Sequence, residues 1–231
     1  KDGSPEIGVK AAFAHTASEN QGHSNAEYDK LFEESGVLRE KTWQEFLDTS
    51  LALGNCPPLR GDNVVIITNG GGAGLLAADH FERLGMPLKE LKDISPDLRE
   101  NIRNYMPAFG SPLNPVDISG TATSDMYGGA LKTAYRDEHV DGILISVCPT
   151  AVTDVEAITE TVINIHRQYK NLGKPFIMEC QGGNECREAI MKLRDKGIPA
   201  YSTPEQAVNA MVALRKYSHI MNKKEKLIKN I

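Results

Sequence analysis

The sequence has little of what marks a membrane, secreted or nucleic-acid-binding protein. No apolar run approaches the roughly 20 residues that a membrane-spanning helix needs, and the first residues, KDGSPEIG, contain no apolar core of a signal peptide. Basic residues number 26 against 31 acidic ones. The one basic cluster, NKKEKLIKN at the C-terminus, is typical of a solvated helix end. We therefore expect a cytoplasmic protein with no membrane and no nucleic acid among its partners.

Cysteine is scarce and irregularly spaced. The chain has four cysteines, none of them in a C-x-x-C pair, which argues against a zinc site and against a disulfide framework. Cys148 and Cys180 lie in apolar runs, so we expect them to be buried thiols. The sequence predicts no metal site within this chain.

The composition is that of an ordinary α/β protein. The 231 residues are 40% hydrophobic and 25% charged, and from Asn63 onward strand-like and helix-like segments alternate. This alternation predicts a flavodoxin-like, doubly wound parallel sheet. A polar helix is predicted over 95–106 with Ser95 as its N-cap, and NPVDISGTAT (Asn114–Thr123) is predicted as a loop. Ligands of such folds bind beyond the carboxyl ends of the strands.

The most informative stretch is VVIITNGGGAGLLAADHFERLG, Val64–Gly85. A β-branched run predicts a buried strand, the glycines predict a sharp turn, and the leucines and alanines that follow recur at helical spacing. This strand–turn–helix directs backbone N–H groups and a positive helix end at one spot, which is typical of a phosphate site. The predicted phosphate-binding residues are Asn69, Gly70, Gly71, Gly72, Ala73 and Gly74. A second interpretation is that the glycines only allow close packing of the helix on the sheet.

Residues 1–55 have a different character from the rest of the chain. They contain two predicted helices, SNAEYDKLFEESGV and TWQEFLDTSLALG, the second with Thr42 as its N-cap, and about one strand, which cannot bury enough surface to fold alone. We therefore expect 1–55 to be the C-terminal part of a second, similar α/β domain. A linker at 56–62, a complete domain at 63–221 and a C-terminal tail or linker at 222–231 follow.

The segment KAAFAHTASENQGHS, Lys10–Ser24, has little apolar anchorage and is predicted to be a mobile loop. It carries His15 and His23. Imidazole acts as a nucleophile towards phosphoryl groups near neutral pH, although a loop histidine is commonly a plain surface residue. A mobile histidine beside a phosphate-binding turn makes a coherent pair.

Together these motifs resemble the NDP-forming acyl-CoA synthetases of the succinyl-CoA synthetase superfamily. DGSPEIGVKAAFAHTAS is similar to that family's phosphohistidine segment, and the phosphorylated histidine falls on His15. The glycine-turn segment, NPVDISGTAT and the closing GNECREAIMKLRDKGIPAYSTPEQAVNAMVALRKY match in the same order. Two departures stand out: Ala17 replaces a family glycine, and the loop after it is about two residues longer. His23 therefore stays as a rival to His15.

The resemblance implies an ADP/NDP-forming acid–CoA ligase. Acyl-CoA, ADP and phosphate would interconvert with the free acid, CoA and ATP through an acyl phosphate and a phosphohistidine on a swinging loop. The catalytic residue would be His15. CoA, ATP or ADP, and Mg²⁺ are implied for the complete enzyme, with no cofactor held by this chain alone. The implied partners are a CoA-binding domain upstream, ATP-grasp domains or an ATP-grasp subunit, a small carboxylic acid, and further copies in an oligomer.

The acid's pocket is predicted at the same end of the sheet as the glycine turn. The predicted substrate residues are Pro149, Thr150, Ala151, Thr153, Asn114 and Asp117. A plainer interpretation makes Asp154 a helix cap and the threonines filler. Two other functions stay open: a nicotinamide-dependent Rossmann-type oxidoreductase based on GAGLLA, which matches G-x-G-x-x-A, and a non-catalytic regulatory or scaffold domain.

Overall fold

The computed structural model describes residues 25–229, and the side chains of 26–223. The chain divides into two compact units, one of residues Lys1–Lys41 with His219–Ile231 and one of Thr42–Ser218. The first unit contains helix α1 (Asn25–Ser35), after which Arg39 forms an ion pair with Asp29 at 2.8 Å. The predictions for His15 and His23 lie outside the described residues.

The second unit is built on one five-stranded parallel sheet. Its strands, in spatial order β2-β1-β3-β4-β5, are β1 (Val64–Thr68), β2 (Val116–Asp117), β3 (Gly142–Val147), β4 (Phe176–Cys180) and β5 (Ala200–Tyr201). This is the flavodoxin-like strand order, so the predicted fold class is confirmed. β2 lies inside the segment predicted as a loop, and that part of the prediction is wrong. A two-residue strand preceded by Pro115 is too short to leave a pattern in the sequence.

Helices cover both faces of this sheet. After α2 (Trp43–Asn55) the chain forms α3 (Gly71–Arg83), α4 (Leu91–Ile94), α5 (Leu98–Arg103), α6 (Ser124–Arg136), α7 (Val155–Tyr169), a 3₁₀ turn (Lys170–Leu172), α8 (Asn184–Asp195) and α9 (Pro204–Lys229). One apolar cluster joins the sheet to α6, α7 and α8. The other joins the opposite face to α2, α3 and α9. Within the described residues, no helix is both long and apolar enough to span a membrane.

Several predicted helix ends are confirmed. The Thr42 hydroxyl accepts a hydrogen bond from the Glu45 N–H as the N-cap of α2, and the Asp154 carboxylate caps α7 by accepting from the Ala157 N–H at 2.9 Å. Ser95, however, is not an N-cap: it follows α4 as its C-cap. LKELKD (Leu88–Asp93) alternates leucine with charged residues, a pattern that does not indicate a helix. Its second half nevertheless begins α4, whose Leu91 is buried.

Helix α2 belongs to the sheet-bearing unit. The Tyr201 hydroxyl donates to the Asp48 carbonyl at 2.7 Å, and the Gln206 amide donates to the Asp48 carboxylate at 3.1 Å. The compact unit of the structure therefore begins at Thr42, ahead of the segment 56–62 that the sequence predicts as a linker.

Two of the cysteines are paired. Cys180, at the end of β4, forms a disulfide with Cys186 in the first turn of α8, with Cα atoms 5.3 Å apart. The expectation of a buried thiol at Cys180 is therefore wrong, because the turn after β4 brings back a cysteine that is six residues away in sequence. Cys148 is a free thiol and only half-buried.

Candidate functional site

Three loops meet at the carboxyl edge of the sheet. They follow β1 (69–74), β2 (117–121) and β3 (148–154). Because these strands are neighbours in the order β2-β1-β3, their loops are adjacent in space. The chain runs from β1 outward to β2 and then back past β1 to β3, which makes this edge the switch point where ligands of open α/β sheets bind.

Asn69 ties the glycine turn to the loop after β3. Its Oδ1 accepts from the Cys148 N–H at 2.8 Å, and its Nδ2 donates to the Cys148 carbonyl at 2.9 Å and to Thr153 Oγ1 at 3.3 Å. Its backbone N–H donates to Tyr127 Oη at 3.0 Å. All these groups of Asn69 are used within the protein, so this predicted phosphate ligand acts as a brace of the turn.

Thr153 and Thr150 extend this brace to the loop after β2. Thr153 Oγ1 also accepts from the Thr150 N–H at 3.0 Å, and the two hydroxyls are 2.8 Å apart. Thr150 Oγ1 donates to the Gly120 carbonyl at 2.9 Å. The predicted substrate residues Thr150 and Thr153 thus join the three loops into one connected network.

The glycine turn presents backbone donors that have no acceptor within residues 25–229. The Gly70 N–H donates to Thr68 Oγ1 at 3.0 Å, whereas Gly71, Gly72 and Ala73 occupy the first three positions of α3, where a helix offers no acceptor of its own. Among the residues that the structure describes, no side chain caps this helix, and its first turn carries no acidic residue. The Asp117 carboxyl group lies beside Gly71, and the remaining donors at the positive end of α3 can receive an external anion.

The four glycines of this turn have different structural roles. A Cβ on Gly70 would lie 2.4 Å from Cys148 Sγ, and one on Gly71 would lie 2.7 Å from Asp117 Oδ2. A Cβ on Gly74 would lie 3.0 Å from both Pro115 and Thr68 side chains. Close packing accounts for these three. A Cβ on Gly72 would meet nothing within 4 Å, so packing does not account for glycine at this position and the space beside it is open.

Two further predicted substrate residues differ in their surroundings. Asn114 braces the edge of β1: its Oδ1 accepts from the Ile66 N–H at 3.0 Å and its Nδ2 donates to the Val64 carbonyl at 2.7 Å. Its side chain is thus occupied away from the loops. Asp117 lies in the site, where Oδ1 accepts from the Ser119 N–H at 2.8 Å and Oδ2 lies beside Gly71.

A cavity of about 600 Å³ opens next to this network, between the N-terminal halves of α7 and α8. Ala151 and Thr153 line one wall, while Glu185, Glu188 and Lys192 of α8 line the other. Pro149 packs instead near Gly182. The α8 wall and Tyr127 were not predicted from the sequence. GGNECREA does begin a helix after a strand, but no local pattern shows that this helix faces the loop after β3.

Burial governs the titration of the groups under the turn. It raises the pKa of Tyr127 well above its usual value and also raises the pKa of the Cys148 thiol, despite a hydrogen bond from Gln181. Both groups are therefore neutral at physiological pH, so neither adds a negative charge to the anion site. Among residues 25–229 no cluster of three His, Cys, Asp or Glu side chains could hold a metal ion.

Within the described residues, no acidic residue ends a strand at the spacing that a dinucleotide site requires: Asp117 does end β2, but it comes only after α4 and α5. In a Rossmann fingerprint an acidic residue ends the second strand about 20 residues after the glycines. Here Glu90 and Asp93 stand at that distance, but Glu90 precedes α4 and Asp93 lies within it. The G-x-G-x-x-A match of GAGLLA is therefore not accompanied by the rest of the motif.

Comparison with known proteins gives consistent matches. A family model described as "Ligase-CoA domain" matches residues 64–224. The alpha subunit of ADP-forming acetate–CoA ligase I from Pyrococcus furiosus is 43% identical over 224 residues, which are 94% of this chain and 46% of that protein. ADP-forming acetate–CoA ligase I from Archaeoglobus fulgidus is 32% identical over 223 residues, 96% of this chain and 30% of its own length.

A solved structure matches as well. It is the dinucleotide forming acetyl-coenzyme A synthetase 1 of Ca. Korarchaeum cryptofilum in complex with phosphate and ADP, with a TM-score of 0.87, 33% identity, and coverage of 96% of this chain and 47% of that one. The chain thus spans half or less of the length of these relatives.

Proposed function

Because the chain belongs to the Ligase-CoA domain family, we propose that it is part of an ADP-forming acid–CoA ligase. The complete enzyme interconverts acyl-CoA, ADP and phosphate with carboxylic acid, CoA and ATP. Relatives that share nearly all of this chain are named ADP-forming acetate–CoA ligases, and these names support the reaction class. The acid itself is a small carboxylic acid.

The main support for this function is the geometry of the turn at the start of α3. Three consecutive N–H groups, from Gly71 to Ala73, have no acceptor within the helix, and Gly72 has open space where a side chain would be. A phosphate or a transferring phosphoryl group fits donors arranged in this way, and donors fixed by the fold need no reorganisation when charge develops on its oxygens.

The proposed reaction has three steps. Phosphate attacks the acyl carbon of acyl-CoA and releases CoA as the thiol, leaving an acyl phosphate held at the turn. The imidazole of His15 then takes the phosphoryl group, and the acid leaves as a carboxylate. Transfer from phosphohistidine to ADP completes the cycle, and we place that step, with its Mg²⁺, in the ATP-grasp part of the enzyme.

The loop after β3 is the proposed acid site. Ala151 and Thr153 line the cavity between α7 and α8, and the hydrogen bonds from Asn69 to Cys148 and Thr153 fix the distance between the glycine turn and this loop. The acyl group is thereby oriented relative to the phosphate. This brace also explains why Asn69 directs its side chain inward.

The experiment that tests this function is phosphorylation of the assembled enzyme with radiolabelled ATP. The proposal predicts an acid-labile, base-stable label on the peptide containing His15. His15→Ala should abolish both the label and acyl-CoA formation, and the matched variant His23→Ala should keep both near wild type. Full acyl-CoA formation by His15→Ala would refute the phosphohistidine mechanism.

A further inference from the structure

A row of polar side chains crosses the sheet at the carboxyl ends of the strands. Thr68 pairs with Asp117 of β2 and with Ser146 of β3. Ser146 pairs with Glu179 of β4, which pairs with Tyr201 of β5. Side chains at paired positions of neighbouring parallel strands point to the same face. The row therefore faces α3 and α9, and it runs from the glycine turn to the edge strand β5.

Glu179 is the unusual member of this row, because it is a fully buried carboxyl group. Its Oε2 accepts a hydrogen bond of 2.5 Å from Ser146 Oγ. Its Oε1 is buried without a hydrogen-bond partner in the part of the chain that the structure describes. A buried carboxylate with a bare oxygen is costly, and a bound proton removes most of that cost.

A short chain of contacts leads from Glu179 to the turn. Ser146, whose hydroxyl binds Glu179, accepts with its carbonyl from Tyr127 Oη at 2.9 Å. Tyr127 Oη in turn accepts from the backbone N–H of Asn69 at 3.0 Å. Asn69 directly precedes the glycines whose N–H groups are unused. Each of these three contacts is buried, so a shift of Ser146 would also shift Tyr127 and Asn69 at the start of α3.

We propose that Glu179 is a positioning residue of the glycine turn: it holds Ser146, and thereby the contact between Tyr127 and Asn69, and its proton favours anion binding at α3. This inference rests on the proposed function of the turn as a phosphate site. The bound anion would be phosphate or the phosphoryl group of an acyl phosphate.

The electrostatics of the surroundings agree with this role. Burial raises the pKa of Glu179 to about 7, and the facing carboxylate of Glu205 on α9 adds to the shift. Burial is the main cause of the raised pKa values of Cys148 and Tyr127, and the Glu179 carboxylate adds to both shifts. Tyr201 is its neighbour in β5. Above pH 7 Glu179 thus places a negative charge under an anion site, and below pH 7 it does not.

Sulfate is a suitable probe, because its charge does not change between pH 5.5 and 8.5, unlike that of phosphate. The full chain is titrated with sulfate across this range by calorimetry, with melting temperatures recorded. The wild-type dissociation constant should rise on the order of fivefold through pH 7. Glu179→Gln, which keeps the shape and the bond to Ser146, should bind sulfate with a dissociation constant that stays nearly constant over this range.

Two more variants make the experiment decisive even if Glu179→Gln fails to fold. Glu205→Gln removes the facing charge and should move the midpoint of the sulfate titration to lower pH. Ser146→Ala keeps the carbonyl that binds Tyr127 but removes the hydroxyl that lowers the pKa of Glu179, so it should move the midpoint of the sulfate titration to higher pH. Two results would overturn the inference about Glu179 and leave the phosphate site standing. One is a Glu179→Gln protein whose sulfate dissociation constant depends on pH as in the wild type, and the other is an unshifted midpoint of the sulfate titration in Glu205→Gln. Absence of sulfate binding by the wild type at pH 6 overturns the anion site as well.

Discussion

The Nδ2 of Asn69 lies 3.3 Å from Oγ1 of Thr153, and this contact joins the glycine turn to the loop that lines the neighbouring cavity. Thr153 Oγ1 also accepts from the backbone of Thr150, so one hydroxyl fixes both loops. If phosphate and acid bind to different loops, their relative orientation depends on this hydroxyl.

Thr153→Val should therefore impair the reaction between the two ligands more than the binding of either one. The substitution keeps the shape but removes the hydroxyl, which costs about 1–3 kcal/mol at each donor or acceptor left unsatisfied. We expect kcat for acyl-CoA formation in the assembled enzyme to fall at least tenfold, with KM for acid and phosphate changed little. Thr161→Val, on α7 outside this network, is the matched control. A loss confined to KM would contradict the bracing role.

The cavity wall should control the choice of acid. Ala151 lines the cavity between α7 and α8, so Ala151→Phe should lower kcat/KM for longer acids more than for acetate. One methylene in a fitted pocket is worth about 1–3 kcal/mol. Ala108→Phe, at an exposed alanine outside this cavity, serves as the control. An unchanged ratio between short and long acids would place the acid elsewhere.

His166 should make the fold sensitive to acid. Its Nδ1 lies 2.7 Å from the Tyr135 hydroxyl, and burial, with the charge of Lys170, lowers its pKa from 6.5 to about 4. The unfolded chain binds a proton at higher pH than the folded one, so stability is lost as pH falls from 6.5 towards 4. The loss should reach about 2 kcal/mol after allowance for solvent screening.

Denaturant titrations at pH 7 and pH 4.5 test this effect. The difference in the free energy of unfolding between the two pH values should be smaller in His166→Gln than in the wild type. His139→Gln, at an exposed histidine, is the control for loss of a histidine elsewhere in the chain. Equal differences in wild type and His166→Gln would show that His166 is not the group responsible.

The disulfide should be detectable by counting thiols. Of the four cysteines, only Cys56 and Cys148 are free in the structure, so alkylation in denaturant without reductant should modify two sites. Reduction, or Cys180→Ser, should lower the free energy of unfolding by about 2 kcal/mol, as expected for a short closed loop. Cys148→Ser provides the comparison for loss of an unpaired thiol. Four alkylated cysteines would contradict the pairing.

The sequence predicted the sheet and the turn because their signals are local. A β-branched run, a glycine turn and a capped helix each occupy a few consecutive residues, and Thr42 and Asp154 cap their helices as expected. β2 was missed because two residues carry no periodicity, and Ser95 was misassigned because it lies between two short helices.

The contacts that shape the site could not be predicted in this way. Tyr127 reaches Asn69 across 58 positions, and Glu179 reaches Ser146 across 33. Nothing in the neighbourhood of either residue in the sequence indicates its partner. The glycines show the same limit: their pattern suggested one role, whereas packing accounts for Gly70, Gly71 and Gly74 and leaves only Gly72 facing open space.

Gly72 therefore offers the most direct measurement of the central claim, that the turn binds the phosphoryl group. In the assembled enzyme, transfer from acyl phosphate to His15 is compared with phosphorylation of His15 by ATP, in Gly72→Val and in the matched control Gly54→Val. Both substitutions add a side chain to a helical glycine with nothing within 4 Å, so both proteins should melt near the wild-type temperature.

If the turn binds the phosphoryl group, the added valine side chain should push it away from the backbone donors, so Gly72→Val should slow transfer from acyl phosphate on the order of a hundredfold, as when one donor to the transition state is lost. Phosphorylation by ATP should be changed far less, and Gly54→Val should change neither rate. Wild-type transfer from acyl phosphate in a folded Gly72→Val enzyme, or an equal loss in both half-reactions, would contradict a phosphate site at this turn.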